Sequence, residues 1–363
     1  MAKTPAAEVV VPGPAGDRAV RVSSPDRIIY PATDLTPDVT KLMVAQYFAT
    51  VGEPLMAAIG GRPTALERRP GGVHPGGRLA QGPMDKDADG FYQKRMMKGA
   101  PSYAETVRIA FPSGRPADEL CPSEPAIPVW CAQMGTITFH PWPVRRADVD
   151  HPDELRIDLD PQPGTGFADA VRVAAVAREL FADLGMRAYC KTSGNRGVHV
   201  FVRIEPRWDF TDVRHAAIAF GRELEKRDDG VTTAWWKEER GERIFVDYNQ
   251  NCRDRTIASA WSLRAVQGAT VSTPLEWDAL AELKDPHTLN IVTVPERLAD
   301  GNPWAGMDRT AHDITPLLEK WEEHPVELNY PPDYPKMPGE PPRVQPSKKV
   351  AEHWDEQGNR IDS

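Results

Sequence analysis

The sequence predicts an α+β fold in which an antiparallel sheet packs against helices. Two observations lead to this class: strand-like apolar runs occur in pairs, and strongly helical patterns separate them. Between Leu155 and Tyr248 the order is strand, helix, paired strands, helix and strand, unlike the regular alternation that builds a parallel sheet. At 363 residues the chain has room for one large domain or two fused modules.

The first part of the chain is predicted to be loose and then helical. Residues 1–20 are rich in Pro, Gly and Ala without a sustained hydrophobic period, which predicts a mobile lead. Apolar residues at helical spacing after a Thr-Pro pair predict the first helix over residues 37–58. The polar, turn-rich segment 71–89 predicts a long loop or insertion.

The middle of the chain carries the predicted sheet. Apolar and β-branched runs predict strands at residues 106–111, 136–140, 155–161, 187–193, 198–204 and 243–248. Two helices are predicted, over residues 168–184 and 211–226, each starting near a Thr or Asp suited to capping.

These elements suggest a division into three parts. Residues 21–300 are predicted to form the catalytic domain, with an N-terminal module at about 37–132 and a catalytic sheet at about 133–270. From Pro303 to the last residue the chain carries ten prolines, and acidic residues outnumber basic ones. Residues 301–363 are therefore predicted to be an extended acidic tail that wraps the body or binds a partner and builds no core of its own.

Composition excludes several classes of protein. No apolar run approaches the roughly 20 residues of a membrane span, and the N-terminus does not resemble a signal peptide. We therefore expect a cytoplasmic protein without a membrane partner. The four cysteines are scattered, which disfavours a zinc ribbon or a disulfide framework. The net charge of -9 argues against nucleic-acid binding over the whole surface, but residues 62–98 carry eight Lys or Arg against four acids.

The stretch "ELRIDLDP" places Asp158 and Asp160 on one side of a predicted strand, with Ile157 and Leu159 on the core side. Adjacent carboxylates repel each other unless a cation or a shared proton compensates. Hard oxygen ligands suit Mg²⁺ or Mn²⁺. The alternative is an exposed strand end whose acids face water.

Asp247 lies at the end of a second apolar strand, before a dense run of polar residues. Three aspartates from two strands are able to hold the two metal ions that clamp the attacking and leaving oxygens in phosphoryl transfer. Taken by itself, Asp247 is equally consistent with a residue of a strand-end turn.

The segment "KTSGNRGVHVFVRI" joins two predicted strands through a glycine-rich hairpin. Its glycines allow backbone N–H groups to turn toward an anion. A plain turn is the simpler interpretation of the glycines alone. Together with Ser193, Arg196, His199 and the aspartates, the hairpin predicts a triphosphate cradle.

These stretches resemble the polymerase domain of bacterial ligase D, within the archaeo-eukaryotic primase superfamily. Three further stretches carry the same resemblance: "VDYNQNCRDRTIASAWSLRA", "GTITFHPWPVR" and "GFYQKRMMKGAP". The resemblance runs in order from about Ser24 to Ala265. It implies a primase-polymerase fold, with an RRM-like antiparallel sheet packed against a second α/β module. With no ligase or nuclease segment in the sequence, and with a 75–89 insertion, the chain is expected to be a stand-alone member similar to the Prim-PolC group.

The resemblance also implies roles for individual residues. The metal-binding and catalytic triad corresponds to Asp158, Asp160 and Asp247. The residues that correspond to nucleotide contacts are His140, Ser193, Arg196, His199, Gln250 and Arg264, although His140 and His199 are also consistent with purely structural histidines. The family often has Lys at the position of Arg196.

The DNA-binding residues are expected in the basic N-terminal half. Phe91, Tyr92 and Lys94 correspond to the segment that stacks on the template, although ordinary solvated lysines on an edge strand fit the same pattern. In the family an Asn and two lysines hold a downstream 5′-phosphate, and Ser24, Arg27 and Pro37 stand there in this chain. Arg27 retains a phosphate donor and Pro37 does not, so we expect Arg68, Arg69 and the following loop to handle the DNA differently.

The resulting hypothesis is a DNA-repair primase-polymerase that adds nucleotides, preferentially ribonucleotides, to a primer 3′-hydroxyl at gaps or breaks. Its expected cofactor is Mn²⁺ or Mg²⁺ in a two-metal site, and its expected partners are primer-template or gapped DNA, nucleoside triphosphates and a separate DNA ligase. Two alternatives remain open from the residues: a metal-dependent nuclease or phosphoesterase, and a non-catalytic module that binds gapped DNA and recruits a ligase. The last is disfavoured because an inactive module has no need of three mutually repelling carboxylates.

Overall fold

A computed structural model describes residues 4–80, 85–110 and 116–331. Its strands are β1 (Ala7–Val11), β2 (Arg18–Val22), β3 (Ile28–Tyr30), β4 (Val39–Thr40), β5 (Thr64–Arg68), β6 (Phe91–Gln93), β7 (Glu105–Ile109), β8 (Ala117–Cys121), β9 (Thr136–Pro141), β10 (Glu154–Pro161), β11 (Ala188–Thr192), β12 (Val198–Arg203), β13 (Val231–Thr232), β14 (Ile244–Val246) and β15 (Pro274–Leu275). Its helices are α1 (Lys41–Thr50), α2 (Gly52–Ile59), α3 (Ala126–Gln133), α4 (Phe167–Asp183), α5 (Phe210–Arg227), α6 (Lys237–Arg240), α7 (Trp277–Glu282), α8 (Thr293–Leu298) and α9 (Thr315–Glu323). This mixture is the predicted α+β class.

The largest sheet has six strands in the order β13, β14, β10, β12, β11, β15. All neighbours are antiparallel except β13 and β14. On its central strand β10, Leu155, Ile157 and Leu159 are buried in the core that the sheet shares with α4 and α5. Because side chains alternate along a strand, Asp158 and Asp160 point to the opposite face, as the sequence predicts.

A second sheet of three strands has the order β6, β5, β9. The sequence groups β9 with the catalytic sheet, but in the structure β9 pairs with β5 instead. Phe139 of β9 packs edge-on against Phe48 of α1, with ring centroids 5.1 Å apart, which anchors the strand to the N-terminal helices. The backbone N–H of Phe139 donates to the hydroxyl of Ser262 at 2.8 Å, and this bond joins the small sheet to the segment that follows Asp247.

The prediction of a mobile lead over residues 1–20 is wrong for its described part. β1 and β2 form an antiparallel hairpin in which each strand alternates buried and less buried residues. The buried side chains belong to the main core and are Val9, Val11, Val20 and Val22. The Pro and Gly residues between β1 and β2 form the turn of the hairpin. The composition of residues 1–20 therefore did not predict these two short strands.

The first predicted helix, residues 37–58, is broken in the structure. Val39 belongs to β4, and α1 and α2 meet at an angle of 74°. The break falls before Gly52, where a built Cβ would lie 3.0 Å from Cβ of Pro125, so a side chain has little room there. Pro54 sits in the first turn of α2, where a missing backbone N–H breaks no helical hydrogen bond.

The other predicted elements agree closely with the structure. The strands at 106–111, 155–161, 187–193, 198–204 and 243–248 are β7, β10, β11, β12 and β14, with Phe111 outside the described residues. The helices at 168–184 and 211–226 are α4 and α5. Asp209 caps α5 by accepting from the backbone N–H groups of Thr211 and Asp212.

The prediction that residues 301–363 build no core is wrong for residues up to 331. Helix α9 packs against α5, and Leu317, Trp321 and Tyr330 are buried. The remainder of the predicted tail, residues 332–363, lies outside the described residues, as do residues 81–84 of the predicted 71–89 loop.

Within the described part of the chain, no single helix is long and apolar enough to cross a bilayer. Among the helices described, one pair bent by 74°, α1 with α2, passes the same test when its two members are taken together.

Candidate active site

The three aspartates of the predicted triad line one cavity of about 280 Å³. Asp158 and Asp160 project from β10, and Asp247 follows β14, the neighbouring strand. The backbone N–H of Asp247 donates to the carbonyl of Asp158 at 3.0 Å, which fixes the two residues side by side. The cavity also collects residues from three other segments, and its full lining is His140, Asp158, Asp160, Ser193, Asn195, Arg196, Gly197, His199, Asp247, Gln250, Thr256, Ile257, Ala258 and Arg264.

Burial disfavours the charged form of each aspartate. It raises the pKa of Asp158 to about 6, against the opposing pull of the Lys191 and Arg264 cations. Burial and then the neighbouring charge of Asp158 raise the pKa of Asp160 and of Asp247 to about 6 as well. Among the described residues, no three His, Cys, Asp or Glu side chains close into a metal cage. The carboxylate of Asp247 instead accepts from Gln250 Nε2 at 2.9 Å and from the Asn249 backbone N–H at 3.1 Å.

A buried row of polar side chains crosses three strands beside the aspartates. Lys191 on β11, His199 on β12 and Asp158 on β10 are cross-strand neighbours. Nε2 of His199 lies 3.2 Å from Oδ1 of Asp158, and Nδ1 lies 2.8 Å from Nζ of Lys191. Burial, reinforced by nearby cations, lowers the pKa of both Lys191 and His199 well below their usual values.

Lys191 is a site residue that was not predicted from the sequence. It is fully buried and also donates to the hydroxyl of Ser272 at 2.5 Å. The sequence does contain an indication of this pairing. Lys191 precedes His199 by eight residues, and the hairpin between their two strands places them opposite each other. Only the observed register makes that pairing certain.

The glycine-rich hairpin is held together by Ser193. Its hydroxyl oxygen accepts from the backbone N–H groups of Asn195 at 3.2 Å and Gly197 at 3.0 Å. These two N–H groups therefore do not form the anion nest that the sequence suggests. Among the described residues the Ser193 hydroxyl only accepts, which leaves its own proton for a phosphate oxygen. Arg196 is exposed at the hairpin tip.

His140 approaches the cavity from the smaller sheet. Its Nε2 lies 3.6 Å from Oε2 of Glu67, and the ring meets Tyr92 edge-on with centroids 5.2 Å apart. Burial lowers the pKa of His140, although Glu67 opposes the shift. Glu67 also pairs with Arg69 at 3.1 Å. Glu67 is not predicted from the sequence, because nothing in the local pattern marks it as a partner of His140.

The remaining predicted nucleotide contacts flank the aspartates. Gln250 is held by Asp247, as described above. Arg264 lines the cavity, and its Nε is buried without a hydrogen-bond partner among the described residues. Its aliphatic stem packs on Gly194, where a built Cβ would lie 2.4 Å from Cγ of Arg264. Gly194 therefore lets the arginine reach the cavity.

The predicted DNA-binding residues differ in how far their side chains are exposed to solvent. Arg69 is buried in its ion pair with Glu67, so it does not present its charge at the surface. Arg68 is half-buried: it donates to the Met134 carbonyl and stacks on Phe91 at 5.1 Å. Tyr92 is 48% exposed.

The other basic candidates lie at the surface. Lys94 is exposed and forms an ion pair with Asp254 at 2.6 Å. Arg27 is exposed, and its guanidinium donates to the Pro70 carbonyl at 2.8 Å. Lys41, which was not predicted as a site residue, donates from Nζ to the Ser23 carbonyl at 3.0 Å. Burial together with the charge of Arg27 lowers the pKa of Lys41.

An antiparallel sheet that carries three buried carboxylates beneath a serine- and arginine-bearing hairpin defines a nucleotidyltransferase site of the polymerase class. The family model for the LigD primase-polymerase domain matches residues 40–304. This chain belongs to that family, and it has the primase-polymerase fold that the sequence predicts. LigD polymerase domains are metal-dependent nucleotidyltransferases.

Similar proteins support this assignment. The multifunctional non-homologous end joining protein LigD of Pseudomonas aeruginosa is 30% identical over 84% of this chain, and that of Mycolicibacterium smegmatis is 29% identical over 83%. The matched part is 35% and 37% of those relatives, so the chain spans about a third of their length. The polymerase domain of Mycobacterium tuberculosis ligase D, solved in complex with DNA, has a TM-score of 0.70 at 27% identity and covers 81% of this chain and 99% of that domain.

Proposed function

We propose that this protein fills gaps or extends broken ends in DNA by adding nucleotides, preferentially ribonucleotides, to a primer 3′-hydroxyl. The observation that carries the proposal is the cavity shared by Asp158, Asp160 and Asp247 with the Ser193 hairpin and Arg264. The acids on one side would hold the divalent cations that meet the reacting phosphate. The arginine and the hydroxyl donor on the other side would bind the remaining phosphate oxygens of a triphosphate substrate.

The three carboxylates fit divalent cations. They offer hard oxygen donors of the kind that Mg²⁺ and Mn²⁺ prefer. Burial raises the pKa of each carboxyl to about 6, so the protein alone disfavours three charged carboxylates in this cavity. Asp158, Asp160 and Asp247 would hold two such ions. When bound, these ions lower the pKa of the primer hydroxyl and neutralise the departing phosphates.

The residues of the chain position the reactants. Arg264 and Arg196 bring positive charge to the triphosphate, and Ser193 donates its free hydroxyl proton to a phosphate oxygen. His199 faces the site through Nε2 while Lys191 occupies Nδ1. The 3′-hydroxyl attacks the α-phosphorus, and the bond to the β-phosphate oxygen breaks to release pyrophosphate.

The DNA is expected to run past the exposed ring of Tyr92 and the basic residues near it. A base stacks on an aromatic ring while Arg or Lys meets the backbone. Arg27 with Lys41 beside it is the candidate for a downstream 5′-phosphate, since two cations adjoin there. The end joining names of the relatives and the DNA bound by the solved domain support a role in break or gap repair. We further propose that the protein works with a separate ligase, in the cytoplasm at the nucleoid.

A primer-extension assay tests the activity. Purified protein and Asp158→Ala are incubated with labelled primer-template, Mn²⁺ or Mg²⁺, and either ribonucleotides or deoxyribonucleotides. Extension that vanishes in the variant, with ribonucleotides used faster, is expected. Shortening of the primer would instead identify a nuclease, and a mobility shift without either product would identify a binding module.

A substrate panel tests the repair role. Gapped, nicked and overhanging DNA are compared with and without a 5′-phosphate, using wild type and Arg27→Ala. We expect gapped DNA with the phosphate to be extended fastest, and the advantage of the phosphate to shrink in the variant. Equal rates on all substrates would contradict a gap-repair role while leaving the polymerase activity intact.

A further inference from the structure

The described C-terminal residues contact the turn that follows Asp247. Residues 327–330, here called the C-terminal strap, follow α9 and lie against α5 and the turn Tyr248–Asn251. Tyr330 is buried, and its ring lies under the guanidinium of Arg214 at 3.6 Å from the charge centre to the ring centroid. The strap therefore packs next to the segment that carries Asp247.

Arg214 is the centre of this contact. It is fully buried, and its guanidinium donates to the Glu327 carboxylate, to the carbonyl of Leu328 at 2.8 Å and to the carbonyl of Asn329 at 3.1 Å. On its other side, Nε donates to Oδ1 of Asn249 at 2.9 Å. One guanidinium thus joins the strap to the turn after Asp247.

Asn249 completes the connection to the site. Its Nδ2 donates to the carbonyl of Asn329 at 2.9 Å, and its backbone N–H donates to Oδ1 of Asp247 at 3.1 Å. The side chain is 3% exposed, so these bonds do not compete with bulk water. Of the bonds described for Arg214 and Asn249, four end on the strap, one joins the two side chains and one reaches Asp247. The Asn251 end of the turn is held from β10, where its side-chain amide exchanges two bonds with the backbone of Arg156. The strap supports the Asn249 end.

We propose that the C-terminal strap, acting through Arg214 and Asn249, positions Asp247 for metal binding. This inference rests on the proposed metal site at the three aspartates. Arg214, Asn249 and the strap are not among the residues that line the cavity, so Asn249 and Arg214 are positioning residues. Their effect is to hold the turn so that the carboxylate of Asp247 faces Asp158, a geometry that a mobile turn would sample only part of the time.

Full-length variants separate positioning from general stability. Asn249→Ala removes the side-chain bonds of Asn249 to Arg214 and Asn329, together with the one it accepts from Cys252 Sγ. Glu327→Gln weakens the charged contact of the strap while keeping its shape. Arg222→Ala is the matched control: Arg222 donates to the carbonyls of His324 and Val326, just before the strap, and makes no bond to Asn249. Asp158→Ala defines loss of the metal site itself.

Two measurements are made on each protein. Binding of Mn²⁺ alone is followed by the electron paramagnetic resonance signal of the free ion, and amide hydrogen exchange of residues 247–251 is followed without metal. We expect Asn249→Ala to weaken Mn²⁺ binding by about tenfold and to speed amide hydrogen exchange at residues 247–251. Glu327→Gln should give intermediate values of both. Arg222→Ala should lower the melting temperature without either change.

The outcomes are distinguishable. Exchange at residues 247–251 that is equal in Asn249→Ala and wild type overturns the inference, whatever happens to the metal. Mn²⁺ binding that weakens equally in Arg222→Ala also overturns it, because loss of stability alone would then explain the effect. If Asp158→Ala binds Mn²⁺ as wild type does, the proposed metal site fails, and the exchange result still decides whether the strap holds the turn.

Discussion

Nζ of Lys191 lies 2.8 Å from Nδ1 of His199, on the side of the imidazole ring opposite Asp158. When Lys191 is charged it has only donors, so Nδ1 of His199 accepts from it and Nε2 carries the ring proton toward the Asp158 carboxylate. The pair therefore fixes which histidine nitrogen presents a proton to the site. The bond is buried, so water does not substitute for it.

Lys191→Met is expected to lower the rate of nucleotide addition by about tenfold, because residues that orient an active-site histidine typically matter at that scale. The measurement is kcat for primer extension, with the tautomer of His199 read from ¹⁵N chemical shifts of the ring. Lys284→Met, a change at an exposed lysine, is the control. A single Nε2–H tautomer that persists in Lys191→Met would show that the lysine does not set it.

Gly194→Ala is expected to raise KM for the nucleotide by on the order of tenfold, because displacement of a phosphate-binding arginine weakens positioning. Gly194 has φ +75°, and an added Cβ would lie 2.4 Å from Cγ of Arg264. Gly185→Ala is the matched control, since Gly185 has φ +69° and no atom within 4 Å of the built Cβ. Both variants should lose about 1 to 2 kcal/mol of stability from backbone strain. An unchanged KM in Gly194→Ala would mean that Arg264 does not bind the nucleotide.

Glu119→Gln is expected to stabilise the protein at alkaline pH. Burial raises the pKa of Glu119 from 4.5 to about 7, and Oε1 has no hydrogen-bond partner among the described residues, while Oε2 accepts from Trp142 Nε1 at 3.0 Å. Because the folded state binds the proton more tightly than the unfolded state, this carboxyl costs nothing below pH 4.5 and destabilises progressively as pH rises through about 7.

The measurement for Glu119→Gln is the free energy of unfolding at several pH values. The variant should exceed wild type by up to about 3 kcal/mol at pH 8 and by little near pH 4.5. Glu282→Gln, at an exposed position, should show no such trend. A variant that is less stable than wild type at pH 8 would show that the Glu119 charge is compensated in the fold.

Val22→Ala is expected to cost about 2 kcal/mol of unfolding free energy, because it opens a cavity in a packed core. Val22 is fully buried in the hairpin of β1 and β2. Val10→Ala in the same hairpin is the control, because Val10 is 57% exposed and its change should cost only a few tenths of a kcal/mol. Equal and small losses in both variants, measured by denaturant unfolding, would mean that the hairpin is not part of the cooperative core.

The errors in the expected fold share a physical cause. The hairpin of β1 and β2 and helix α9 each lie in segments rich in Pro or Gly, where composition suggested loose chain. Their apolar residues number only a few each, and they become stable by packing against α1, α3 and α5. Local propensity does not reveal that support, because the supporting helices lie far away in the sequence.

The sequence by itself determined the face on which Asp158 and Asp160 project, since side chains on a strand alternate with period two. It also determined the family, because the motifs around Asp247 and the Ser193 hairpin are specific and ordered. Only the tertiary structure decided that Lys191 supports His199, that Glu67 meets His140, and that the chain after α9 contacts the turn that follows Asp247. Those contacts join residues on different strands or distant segments, and strand register and long-range packing, which set them, are properties of the whole folded chain.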